Sequence, residues 1–202
     1  MTESKGKIID GKVTQKIAPA IERGALDAVH AIVMHQTGGS SAESTLASYG
    51  HKGANGAHFL IDTDGTIYQT AHVDKRTHHV GNIQSRCHNL KSCSPDDATA
   101  IDTILHPKKK KVPYSTKVRQ LSDHEAKKAY PKRYPTNSDS LGIEVVGSFD
   151  GGIYEDPTSD QADSVKWLVA ELLALFKLTT DDVYRHPTVS YKHASEASNV
   201  TW

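Results

Sequence analysis

The chain is poor in cysteine, in net charge and in long apolar runs. Cys87 and Cys93 are its only 2 cysteines, too few for a disulfide-dense scaffold or a four-cysteine structural zinc site. Its 24 basic and 24 acidic side chains cancel, so no global field draws it to nucleic acid or to a membrane surface. The longest apolar stretch, Leu172-Leu173-Ala174-Leu175-Phe176, is far short of a bilayer span. The start, Met1-Thr2-Glu3-Ser4-Lys5-Gly6-Lys7, leads into no apolar signal core, so no ordinary secretory signal is expected. At 202 residues, one domain with its own core is the natural expectation.

What is present begins with Ala31-Ile32-Val33-Met34-His35-Gln36-Thr37-Gly38-Gly39. A β-branched apolar run ending in histidine and glycines reads as a buried strand, Val29 to Met34, that delivers one imidazole to the mouth of a cleft. Ser40-Ser41-Ala42-Glu43 has capping-box spacing and predicts a helix over Ala42 to Tyr49. His58 to Asp62 and Thr66 to Thr70 flank Thr63-Asp64-Gly65 and read as a hairpin. Leu141 to Val146 is a second buried strand. Thr158-Ser159-Asp160-Gln161 opens a helix whose Val165, Leu168, Val169, Leu172, Leu173 and Phe176 recur at helical spacing, a packing stripe. The fold class is therefore α/β (α+β): a single domain with a central mixed β-sheet flanked by helices.

Residues 1–28 read as an irregular N-terminal arm with one short helix. Residues 84–138 are too long for a plain connection and read as an elaborated surface insertion, with a helix over Ser122 to Tyr130. Its run Lys108-Lys109-Lys110-Lys111 is a solvated loop or an attractor of anionic wall polymer. Cys87 and Cys93 are a disulfide candidate, but two reduced surface thiols fit as well, and His88 beside Cys87 leaves room for a Cys/His metal site.

Four segments in order carry chemistry. They are the one around His35, then Asn55 to Gln69, then Leu141-Gly142-Ile143-Glu144-Val145-Val146-Gly147, then Tyr184-Arg185-His186-Pro187. A lone histidine is most often a satisfied packing residue, and a mid-strand glutamate can simply point to solvent. Together, from about residue 29 to residue 202, the segments resemble the zinc-dependent N-acetylmuramoyl-L-alanine amidases. That superfamily includes AmpD-type recycling enzymes, phage amidase lysozymes and peptidoglycan recognition proteins.

The resemblance implies a catalytic Zn2+ with three protein ligands and one open position. His35 and His186 are the first two ligands. Glu144 matches the general-base glutamate of AmpD-type enzymes. Lys192 follows His186 at the spacing of the oxyanion-stabilising lysine of phage amidases. His79, in Thr77-His78-His79-Val80-Gly81, matches a loop that lines the substrate cleft, and His58 matches a structural position under the sheet. The chain departs from the family twice. Ala57 stands where phage and recognition-protein relatives carry a tyrosine. Ala194 stands at the usual third-ligand position and cannot bind metal. Glu196 lies ten residues after His186, the separation of the aspartate ligand in AmpD-type enzymes, and is the expected third ligand, with His193 as its rival. His30, His51, His72, His78, His88, His106 and His124 have no motif support and read as surface or packing residues.

The implied function is hydrolysis of the amide between N-acetylmuramic acid and L-alanine in peptidoglycan. Its rivals are a module that binds muropeptides without cutting them and a cytosolic recycling amidase. The expected partners are peptidoglycan or muropeptides. An antibacterial effector or lysin acting in the periplasm after signal-independent export would add an inhibitory immunity protein.

Overall fold

Strand parity explains how the molecule is layered. Along Ala31–Gly38, Ile32 and Met34 face one side of the sheet while Ala31 and Val33 face the other. Both sides are buried, so the strand reads as a continuous apolar run, as parallel strands covered on two faces do.

The computed structural model describes residues 1–108 and 111–202. Among these the strands are β1 (Thr2–Ser4), β2 (Lys7–Ile9), β3 (Val13–Gln15), β4 (Glu22–Ala25), β5 (Ala31–Gly38), β6 (Phe59–Ile61), β7 (Ile67–Gln69), β8 (Lys75–Thr77), β9 (Ser140–Asp150), β10 (Ile153–Tyr154) and β11 (Val183–Arg185). The α-helices are α1 (Ala42–Tyr49), α2 (Arg86–Asn89), α3 (Pro95–Leu105), α4 (Tyr114–Glu125), α5 (Ser159–Phe176) and α6 (His186–Val189). The main sheet runs β11-β5-β9-β6-β7-β3, with β10 paired to β9. Strands β11, β5, β9 and β6 are mutually parallel, and β6 and β7 form the antiparallel hairpin.

One face of the sheet packs on α5. Val165, Leu168 and Leu172 are fully enclosed there with Ile32, Met34, Ile143 and Val145, each such side chain contributing roughly 1.5–3 kcal/mol. Thr158 caps α5 with a complete capping box, and the buried Gln161 also donates from Nε2 to the Val146 carbonyl at 2.8 Å, tying the helix to β9. The opposite face of β5 is covered by Val80, Ile83, Tyr134, Tyr184 and Val189.

Several expectations are revised. Strand β5 runs on to Gly38, so His35 lies inside it rather than at its end. The cap of α1 is Ser41, whose side chain accepts from the Ser44 backbone N–H, one residue later than the Ser40–Glu43 box. Residues 1–28 hold the expected short helix, a 3₁₀ turn at Pro19–Ile21, but are strands and not an irregular arm around it. Strand β3 extends the sheet beside β7, and Ile8, Val13 and Ile21 are buried. Three-residue strands with one inward apolar side chain each show no alternation in sequence.

Among the described residues the insertion holds three helices, and the longest is Tyr114–Glu125, not Ser122–Tyr130. Val118 and Leu121 set its buried face. Cys87 and Cys93 are bonded to each other. Of the lysine run, Lys109 and Lys110 lie outside the described residues. No described helix is long and apolar enough to cross a membrane.

Candidate metal centre

Register builds the site. Strand β5 pairs with β9 so that His35 is level with Glu144, and β11 pairs with β5 so that Arg185 is level with Met34. The next residue after Arg185, His186, therefore falls beside His35. Glu144 alternates with Ile143 and Val145, which face α5, so its carboxylate lies on the other face. His186 follows the end of β11, whereas His35 and Glu144 lie inside their strands.

Glu196 comes from the C-terminal loop to complete a cluster. His35 Nδ1 lies 2.8 Å from His186 Nδ1, and Glu196 Oε1 lies 2.7 Å from His186 Nδ1 and 3.6 Å from His35 Nδ1. All three side chains are buried. His35, His186 and Glu196 form the group among the described residues whose donor atoms converge closely enough to hold a metal ion.

Hydrogen bonds on the far side of each ring decide which atoms face inward. His186 Nε2 donates to the Val80 carbonyl at 2.9 Å, which leaves Nδ1 bare. His79 Nε2 donates to the Ser140 carbonyl at 3.3 Å, so His79 Nδ1 accepts. His35 Nε2, 3.0 Å away, is its donor, and His35 Nδ1 is bare as well. Two lone pairs and a carboxylate thus point at one another, an arrangement that repels unless a cation sits among them. Ligating histidines are typically oriented through their second nitrogen in this way.

The electrostatics agree. Burial and the neighbouring His186 lower the His35 pKa to about 4, so the ring is neutral at physiological pH. Glu144 goes the other way: burial, then the charge of Glu196, lift it to about 8. Two carboxyls share one cleft, one turned to the two imidazole nitrogens and the other made basic, an arrangement for different tasks.

The remaining expected residues are placed as follows. A cavity of about 270 Å³ is lined by His35, His186, Glu196, Glu144, Lys192 and His79, with Tyr49 and Tyr154 on its walls. Lys192 is close enough for its charge to act on both His35 and Glu144. His79 serves His35 as a hydrogen-bond acceptor besides lining the cleft. Its ring stands over Gly142, where an added Cβ would come within 2.8 Å of Nδ1.

His193 is exposed and bonded to Ser195 Oγ at 2.8 Å, outside the cluster. Ala194 is exposed too. His58 is fully buried, donating from Nε2 to the Lys75 carbonyl and accepting at Nδ1 from the Gly142 N–H, a packing role. Sequence reasoning missed Tyr49. Its hydroxyl accepts from the Ala57 N–H at 3.3 Å, so α1 brings a phenol up to the position where this chain carries alanine. That approach is tertiary and leaves no local signal.

A family model described as N-acetylmuramoyl-L-alanine amidase matches residues 25–199. The chain belongs to that family. Its fold is shared with solved structures at low identity. A selenomethionine derivative of AmpD is 17% identical with a TM-score of 0.53, over 94% of this chain and 88% of that one. The N-acetylmuramoyl-L-alanine amidase LysC from Clostridium intestinale URNW is 16% identical with a TM-score of 0.52, over 95% and 91%. The catalytic domain of XlyA is 16% identical with a TM-score of 0.52, over 89% and 87%. Among curated proteins, no sequence matches this chain.

Proposed function

We propose that this amidase-family chain is a zinc enzyme that hydrolyses the amide between N-acetylmuramic acid and L-alanine of peptidoglycan. The convergence of His35 Nδ1, His186 Nδ1 and Glu196 Oε1 carries the reading. Imidazole nitrogen and carboxylate oxygen suit zinc, and three protein ligands leave a position open. Bound there, zinc supplies a Lewis acid and acidifies adjacent water.

The chain's own groups do the rest. Glu144 accepts a proton from the attacking water and delivers it to the departing L-alanine nitrogen, a task suited to a carboxyl whose pKa is raised to about 8. Lys192, at the mouth of the cleft, offsets the negative charge that develops on the carbonyl oxygen. Water adds across the C–N bond, leaving a lactyl carboxylate and a free amine. A muropeptide-binding module would need neither a basic Glu144 nor a converged donor set.

Mass spectrometry of digested sacculi tests the bond assignment. Stem peptides with a free L-alanine amine are expected, and cleavage at any other bond would overturn it.

We further propose action in the periplasm, as an antibacterial effector or lysin, with an immunity protein as partner in the effector case. The support is the Cys87–Cys93 bond, which suits an oxidising compartment. Lysis on directed export but not on cytosolic expression is the expected result. Equal toxicity from both compartments would count against it.

A further inference from the structure

Glu196 lies in the C-terminal loop beyond α6, so something in that loop must bring it to the two histidines. Ala197, the residue after Glu196, is fully buried and holds a positive φ of 54°. That is a left-handed conformation that L side chains seldom adopt. Two side chains grip its backbone. Gln36 Oε1 accepts from the Ala197 N–H at 2.9 Å, and Arg185 Nε donates to the Ala197 carbonyl at 2.9 Å. Gln36 directly follows ligand His35, and Arg185 directly precedes ligand His186. The neighbour of each histidine ligand therefore holds the neighbour of the third.

Gln36 has no freedom to do otherwise. It is buried, and its Nε2 donates to the Glu155 carbonyl at 2.8 Å. An added Cβ on Gly147 would come within 2.7 Å of that same nitrogen, so β9 leaves the space it occupies. Arg185 is fixed as well, through Nη2 to the Val200 carbonyl at 2.9 Å and by stacking over Trp202.

We propose that Gln36, with Arg185, is a positioning residue that locks Ala197 in its left-handed turn and thereby sets Glu196 as the third metal ligand. The proposal rests on the zinc reading above. A clamp of this kind fixes the third ligand through the neighbours of the other two, at the cost of one strained alanine.

The test is a double-mutant cycle on zinc affinity, measured by competition with a chromophoric chelator. Gln36→Leu is expected to weaken zinc binding about 10–100-fold, the range for orienting groups behind a metal ligand. Glu196→Ala is expected to lose at least as much. Combining them should cost no more than Glu196→Ala alone, because Gln36 acts through Glu196. Substitution of cobalt gives a second readout: the visible spectrum of Gln36→Leu should shift toward that of Glu196→Ala.

Additive losses in the double variant, or wild-type affinity in Gln36→Leu, would overturn the clamp. If Gln36→Leu does not fold, Gln36→Asn, one methylene too short to reach Ala197, is read by the same cycle. A wild-type protein that binds zinc no better than His35→Ala would instead overturn the zinc reading itself.

Discussion

Glu144 and His58 show how burial is put to opposite uses. Glu144 is lifted toward neutral pH beside a cleft, where a group that gains and loses a proton is useful. Glu144→Gln keeps the shape and cannot accept the proton. Turnover on sacculi should fall on the order of 10²–10⁴-fold with zinc content unchanged; a variant that loses zinc would make Glu144 a ligand. His58 is buried against Lys75 and Gly142, and its pKa falls to about 4. Above pH 6.5 the ring is neutral folded or unfolded, and its contribution is intact. Between 6.5 and about 4 the unfolded chain takes up a proton that the folded one refuses, so stability falls with pH, by about 1.4 kcal/mol per pH unit at most. Denaturant titrations across that window should show a shallower pH dependence in His58→Gln, and an unchanged slope would refute the assignment.

At the scale of elements, the parallel register of β5 and β9 matters most, and Gly142 is its weakest point. A methyl there would meet His79 Nδ1 at 2.8 Å and the Ala57 Cβ at 3.0 Å. Gly142→Ala should push His79 off His35, lowering both melting temperature and zinc affinity; normal affinity in that variant would show that His35 does not depend on His79. Much of this level was legible beforehand. The apolar runs of β5 and β9, the β6–β7 hairpin and the capped α5 all announce themselves through period and turn residues. What was not legible depends on contacts distant in sequence. Ile8 and Val13 look like strays in a polar segment until β3 meets β7. Likewise, Gln36 sits inside the strongest motif and gives no sign of its role, because its partners are Ala197 and Glu155, 161 and 119 residues away. Between Glu196 and His193, the ten-residue spacing from His186 pointed to the glutamate. The fold turns one into the cluster and leaves the other exposed against Phe149.

For the whole molecule, the metal should act as a cross-brace between β5, β11 and the C-terminal loop. A ligand that binds only the folded state stabilises it by about 4 kcal/mol at a thousandfold excess over its Kd. For a chain of this size that corresponds to roughly 10 °C. Calorimetry with and without a chelator is expected to show a drop of that order, reversed by added zinc, and no difference would remove zinc from the fold. The order of the ligands along the chain has a further consequence during synthesis. His35 emerges early and Glu144 well after it, yet His186 and Glu196 come only after β9 and α5 are complete. A ribosome-bound chain can pair β5 with β9 and still hold one ligand of three. The full set of three candidate ligands is thus among the last features the nascent polypeptide acquires.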